Sequence, residues 1–421
     1  MNKKIILMLS ILMLVVGFAP VFAKTDLPQI HRTTVSGMTL FAQNTDSSLV
    51  EVTLLLKSGS GIEQKKGVAA IVNQFVSGVL DYYQKKSGWV SSAVYTYPDY
   101  TMIKIKSSPK RLKSVLIILK DLLTYPLYDY DFVSDLQNLI STDLKATSSI
   151  TKAYFDFNRE FYGAEHPYSN DLDSESIKSI NGNDVFKWHR STYRPGNAIL
   201  SISGGFKERL KTLEKIFRHM PSGVIDNRLM VKPIVLDKIS QLEEVDLNGR
   251  VASITIGYAA PRMKDPEFPA FRIIAYYLEE YQHYFEELRV KEGLIYAGLV
   301  YFNYLEKPNA PNIAFLTMTE PKLIDRVETR TVEVLKGLAE KGLEQEEIAR
   351  VIEAMKTRSS ITQVEGRGLA TVNALSYYLE TQLVYDQNLW VKLEQVTTTD
   401  IQKAAVKYFQ NYIKVAYIPR G

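Results

Sequence analysis

Cysteine is absent from the 421-residue chain, which removes disulfides, thiolate nucleophiles and every cysteine-based metal site together. Histidine is scarce. His31, His166, His189, His219 and His283 are the full set, and the closest pair, His166 and His189, stands 23 residues apart. No two of them are spaced along one helix to share a metal ion. Beyond the N-terminus no stretch reaches 18 consecutive apolar residues, so no internal membrane span is expected. A formal charge of only +4, with no basic block, argues against nucleic acid as a partner. Phosphate-binding loops, dinucleotide fingerprints and Gly-x-Ser-x-Gly elbows are all missing. What remains is an ordinary globular composition, 46% hydrophobic and 23% charged, which excludes disordered, collagenous and polytopic membrane classes.

The N-terminus has Lys3 and Lys4, an apolar run from Ile5 to Ala19, and then Val21-Phe22-Ala23. A basic region, an apolar region and a small residue at the junction predict a signal peptide over residues 1–23, cleaved near Ala23. The alternative is an uncleaved anchor. The expected product is exported, periplasmic or extracellular.

Along the remaining chain Val50 to Leu56 reads as a core strand, followed by the turn Ser58-Gly59-Ser60-Gly61. Apolar spacing then predicts a helix from about Val68 to Leu80, a hairpin from Ala93 to Ile105, and a helix after Pro109. A more polar helical stretch runs from Phe132 to Phe161, and a strand from Ala198 to Ser203. The order recurs. Val251 to Tyr258 is a strand, Asp265-Pro266 starts a helix carrying Phe271, Ile274, Leu278 and Phe285, and Leu294 to Phe302 and Ile313 to Met318 are strands. Helices follow over Thr331 to Lys341 and Gln345 to Met355, and the closing segments Asn183 to Ser203 and Thr399 to Ile418 match in pattern. The expectation is an α+β fold of two duplicated units, residues 24–220 and 247–421, joined by a linker at 221–246. The 26 tyrosines suit either a wet cavity, a subunit interface or half-buried helix packing.

The ordered motifs carry a resemblance to a known family. They are Gly59-Ser60 with Glu63 and Gly67, Gly163 with His166-Pro167-Tyr168, Tyr193 with Pro195 and Asn197, Gly204-Gly205-Phe206, and Leu288-Arg289 through Gly293-Leu294 to Tyr296. Together they resemble the M16 (insulinase or pitrilysin-like) peptidases, in the short bacterial form related to mitochondrial processing peptidase subunits. The resemblance implies tandem units, sheets with helices on one face, and a clamshell. It also implies an inverted zinc motif, His-x-x-Glu-His, on the helix after the first glycine. There two imidazoles one turn apart would hold zinc, and the glutamate would take a proton from bound water.

Here those positions read Ala70, Asn73 and Gln74, and from Asp131 to Arg159, where the family's third ligand falls, there is no glutamate or histidine. No metal site is expected in this chain. His283 beside Glu279 and Glu280 is the remaining metal candidate, against the alternative of a solvated acidic helix face. The family's arginine and tyrosine from the second unit match Arg289 and Tyr296, implying roles in holding the peptide and stabilising an oxyanion. The alternative is that Arg289 pairs with a nearby glutamate and Tyr296 packs at a strand start. The bulky stretch Tyr277 to Tyr284 departs from the glycine-rich run usual before that arginine. The resemblance therefore implies the noncatalytic subunit of a heterodimeric zinc peptidase, with zinc on a partner homologue and an unfolded or extended peptide as substrate. The other class is a non-enzymatic peptide-binding or scaffolding homodimer.

Overall fold

The computed structural model describes residues 29–420 apart from 126–130, 146, 170–171, 224–228, 230, 248, 280–281, 365–367 and 380–386. The expected leader, 1–23, lies outside the described residues. So do Tyr128, Tyr130 and Tyr281.

Two sheets organise the chain. The first holds β1 (Ile30–Val35), β2 (Met38–Asn44), β3 (Val50–Leu56), β4 (Ser91–Thr96), β5 (Thr101–Ser107) and β6 (Ala198–Gly204), in spatial order β1-β2-β6-β3-β5-β4. The second holds β7 (Ser240–Asp246), β8 (Ala252–Ala259), β9 (Ala297–Phe302), β10 (Asn312–Thr319) and β11 (Ile413–Pro419), in order β7-β11-β8-β10-β9. Without β1 the two orders are the same, and so are the senses: β2 on β6 and β7 on β11 are parallel, every other pair antiparallel.

Each sheet packs one face on helices of its own lobe. In the first, α1 (Val68–Ser87), α2 (Leu112–Thr124), α3 (Asp131–Lys145), α5 (Gly182–Thr192) and α6 (Leu210–Phe217) cover Val50, Val52, Leu54 and Leu56. In the second, α7 (Phe268–Glu279), α8 (Ile324–Lys341), α9 (Gln345–Val364), α11 (Gln387–Glu394) and α12 (Thr398–Tyr408) cover Ala252, Ile254, Ile256 and Tyr258. Alternation puts these residues on one side of their strands.

The opposite faces are closed by exchange. Helix α4 (Ser149–Tyr162) belongs to the first half of the chain, yet its Ala153, Phe157 and Phe161, spaced by four, pack on Ala314, Leu316 and Val415 of the second sheet. In return α10 (Leu369–Leu379) lays Ala374, Leu375 and Tyr378 on Phe41, Leu55, Met102 and Ile199 of the first sheet. This explains why β3 is buried along its whole length: both its faces are covered, and all seven residues are buried, Glu51 and Thr53 included. The N-terminal end of each exchanged helix meets a carboxylate from the other half. The Gly368 amide donates to Glu51 at 2.6 Å, and the Ser149 hydroxyl donates to Asp246. Negative groups favour that end of a helix because its first amides are unpaired and its dipole is positive there.

The structure differs from the sequence reading at defined places. The polar helical stretch Phe132 to Phe161 is divided into two helices, and the second is an inter-lobe element that the sequence reading did not foresee. The 221–246 linker reaches too far, because Ser240–Asp246 is an edge strand of the second sheet, paired to β11. Phe285 leaves the helix that carries Phe271, which ends at Glu279, and sits in a separate turn, His283–Phe285.

The lobes also meet through hairpin tips. Tyr100, in the β4–β5 turn, donates to the Leu305 carbonyl at 3.1 Å, and Tyr378 donates to the Asp99 carbonyl at 2.9 Å. Asn309 donates to the Asp99 carboxylate at 3.0 Å, and Asp99 is only 4% exposed. Burial outweighs the hydrogen bonds from Tyr168 and Asn309 and raises the Asp99 carboxyl to about 6. Because the folded value lies above the unfolded one, this group stabilises the fold when protonated, and the contribution fades as pH rises from about 4 through 6. Asp99→Asn should flatten that part of the stability profile and gain roughly 2 kcal/mol over the parent at pH 7.5. Urea unfolding of both proteins between pH 4 and 8 measures it, and parallel profiles would contradict it.

Candidate functional site

Helix α1 begins where Gly67 adopts φ +92°, a left-handed conformation that suits glycine. The Glu63 carboxylate accepts from the Gly67 amide at 2.7 Å and the Ala69 amide at 3.0 Å, capping the helix. Ala70 is partly buried one turn in, and Gln74 faces solvent. Asn73 is buried and fully engaged: its amide nitrogen donates to Thr96 at 2.5 Å, and its oxygen accepts from Tyr193 at 2.6 Å. The Asn73 side chain therefore ties α1 to β4 and to the end of α5. Asn73→Ala would leave the buried Tyr193 hydroxyl without its acceptor, and about 1–3 kcal/mol of stability should be lost. Denaturant unfolding of the purified variant is the check.

These residues do not fit zinc. Alanine offers no donor atom, and the amide of Asn73 has no basic oxygen free. No group of three or more His, Cys, Asp or Glu placed to hold a metal exists among the described residues. The histidines have other places. His166 accepts from the Tyr168 amide at 3.0 Å and stacks on Tyr162, and burial lowers its pKa, with Lys307 adding to the effect. His189 stacks on Tyr193 with its pKa lowered to about 4 by burial. His283 stacks on Tyr277 at 4.4 Å, shares a 2.9 Å hydrogen bond with its hydroxyl, and lies 3.8 Å from Glu287. The tyrosines serve mostly as packing with a polar end: Tyr100, Tyr162, Tyr168 and Tyr378 are buried at the lobe junction.

Arg289 and Tyr296 lie elsewhere, in the second lobe. Arg289 is on a single π-helical segment, Glu286–Lys291, a form that widens the helix locally. Its guanidinium rests over the Phe285 ring at 5.0 Å and makes no ion pair among the described residues. The neighbouring side chains hold the segment instead. Glu287 is buried and takes Lys291 at 2.5 Å and Arg330 at 2.5 Å, while Glu292 takes Arg330 at 2.7 Å and Arg326 at 3.1 Å. Desolvation opposes ionisation of Glu287, but the Lys291 hydrogen bond and the surrounding cations hold its pKa below the usual range. The network binds the segment to α8 and leaves Arg289 facing solvent.

Tyr296 is 50% exposed, and its hydroxyl donates to Glu320 at 3.2 Å. Partial desolvation first, and then the Glu320 charge, raise its pKa, so it stays a donor. Its amide donates to the Met318 carbonyl at 2.8 Å, at the head of β9. β9 is an edge of its sheet, as β4 is of the other. The structure thus places Ala70, Asn73 and Gln74 beside one outer strand and Arg289 and Tyr296 beside the other. Sequence reasoning missed the Glu287–Arg330–Glu292 lattice. The spacing of Glu287 and Lys291 by four was its only local trace.

Fold and site together define a class: a two-lobed α+β chain with one sheet in each half and no metal-binding cluster among the described residues. Residues 179–355 match the family model described as the peptidase M16 inactive domain. Solved structures share the fold over nearly the whole chain. A protease from Helicobacter pylori is 18% identical with a TM-score of 0.81, covering 94% of this chain and 100% of that one. A peptidase M16 inactive domain from Pseudomonas fluorescens is 16% identical with a TM-score of 0.80, covering 93% and 99%. The periplasmic protease PqqL from Escherichia coli is 15% identical with a TM-score of 0.73, covering 93% of this chain and 45% of that one. No curated protein matches the sequence.

Proposed function

We propose that this chain is the noncatalytic subunit of an exported, heterodimeric M16 zinc peptidase. It lends Arg289 and Tyr296 to a site whose zinc sits on a partner homologue. The observation that carries the reading is the contrast between its two candidate sites. Of the positions that match the zinc motif, Asn73 is locked between Thr96 and Tyr193. Arg289, in contrast, is exposed, makes no ion pair among the described residues, and is carried on a segment that Glu287 and Arg330 hold fixed. A fixed guanidinium and a protonated phenol are donors suited to the negative charge that develops on a carbonyl oxygen under attack.

The edges of β4 and β9 offer unpaired backbone groups, which an extended peptide can satisfy by adding a strand. The matching strand orders support an origin by duplication, with the units at 24–220 and, once β7 is counted, from about residue 240 onward. The basic and apolar leader supports export, and one relative of the same fold is described as periplasmic.

Tagged protein, expressed from its own genomic context and purified natively, tests the reading. The expected result is an equimolar complex with an M16 chain bearing His-x-x-Glu-His, identified by mass spectrometry. Recovery as a homodimer would overturn it in favour of the peptide-binding scaffold.

A further inference from the structure

A cavity in the second lobe includes none of the residues of either candidate site in its lining. It is about 960 Å³, lined by the loop before α7 and by α11 and α12. Its floor is apolar, with Met263, Phe268, Pro269, Leu389 and Val396. Its rim is basic: Lys264, Lys392, Lys403 and Lys407 all line it.

The acidic residues there are already committed. Asp265 holds Arg262 at 2.7 Å, Glu267 holds Lys407 at 2.6 Å, and Asp400 completes the capping box with Thr397 at the start of α12. Lys403 acts electrostatically on Asp400, with no direct ion pair between them among the described residues. Lys264, Lys392 and Lys403 are exposed and make no ion pair among the described residues. A hollow of this size with an apolar floor and a few convergent charged groups is the usual form of a small-molecule site. Uncompensated lysines fix the sign of what it takes.

We infer that this cavity binds a small amphiphilic anion, with an apolar body on the Met263–Phe268–Leu389 floor and an acidic head among Lys264, Lys392 and Lys403. The inference does not depend on the peptidase-subunit reading. The lysines extend from helix and loop surfaces, so reversing their charge leaves the buried core of the lobe untouched.

The test uses 8-anilinonaphthalene-1-sulfonate, an aromatic anion, titrated into the full chain and followed by fluorescence. The expected result is saturable binding at one site, displaced by laurate. Binding should weaken about tenfold or more in Lys264→Glu/Lys392→Glu, with an unchanged melting temperature. The uncharged probe N-phenyl-1-naphthylamine should bind the parent more weakly and respond little to the reversal. A control reversal at Lys336, which pairs with Glu340 on α8, should leave the anion's affinity unchanged. Non-saturable binding, or equal affinity in the parent and the double reversal, would overturn the assignment. So would equal sensitivity of the uncharged probe to the charge reversal.

Discussion

Truncating Phe157 to alanine should cost about 3–5 kcal/mol and separate the unfolding of the two lobes. Phe157 is fully buried, sits on a first-half helix and fills the face of the second-half sheet. Its ring rests on Gly257 so closely that a Cβ built there would lie 2.1 Å from the ring. No real Cβ is found at that distance, so Gly257→Ala must push Phe157 off the sheet. Overpacking of this kind costs about 1–3 kcal/mol.

The two substitutions attack one contact from opposite sides, and their effects should be strongly non-additive. Calorimetry is the measurement. The parent should show one cooperative transition, because each sheet depends on a helix from the other half. Phe157→Ala should show two. A single, undisplaced transition would mean that α4 contributes little to joining the lobes.

The second large effect concerns Arg289. In the proposed heterodimer, Arg289→Ala should lower kcat/KM for peptide cleavage about 10²–10³-fold, with most of the loss in kcat, because a donor to a developing oxyanion acts mainly in the transition state. Arg289→Lys should recover only part of it, since an ammonium cannot reproduce the planar, forked donor set. Tyr296→Phe should lower the rate by a smaller factor, as it removes a single neutral donor. Steady-state kinetics on matched complexes decide the matter. Fold stability should not change, because Arg289 lies outside the Glu287–Arg330–Glu292 lattice. An unchanged kcat/KM would reduce Arg289 to a surface residue packed on Phe285.

Much of the architecture was legible in the residues. The run Val50 to Leu56 is β3 with the expected bounds, and Thr399 to Ile418 is the helix and strand that close the second lobe. Local rules reach these elements because their periodicity and caps are local. What stayed hidden depends on partners distant in sequence. Nothing in Ala153, Phe157 and Phe161 says that their stripe is buried by the other half of the chain. Thr53 looks like a polar interruption of β3 until Thr371 of α10 meets it at 3.1 Å.

The candidate site residues could be named from the sequence, but not their surroundings. Ala70, Asn73 and Gln74 read as a poor metal-binding set by their side chains alone. That Asn73 is held by Thr96 and Tyr193, and that Arg289 is left unpaired while its neighbours pair, follows only from three-dimensional packing.

The most direct test of the account is reconstitution. Peptide hydrolysis and bound zinc should be measured on this chain alone, on the zinc-motif partner alone, and on the mixture. The account predicts no zinc and no cleavage for this chain, little cleavage for the partner, and full activity with one zinc per heterodimer in the mixture. Cleavage or stoichiometric zinc in this chain alone would contradict it, as would a partner whose activity is indifferent to its presence.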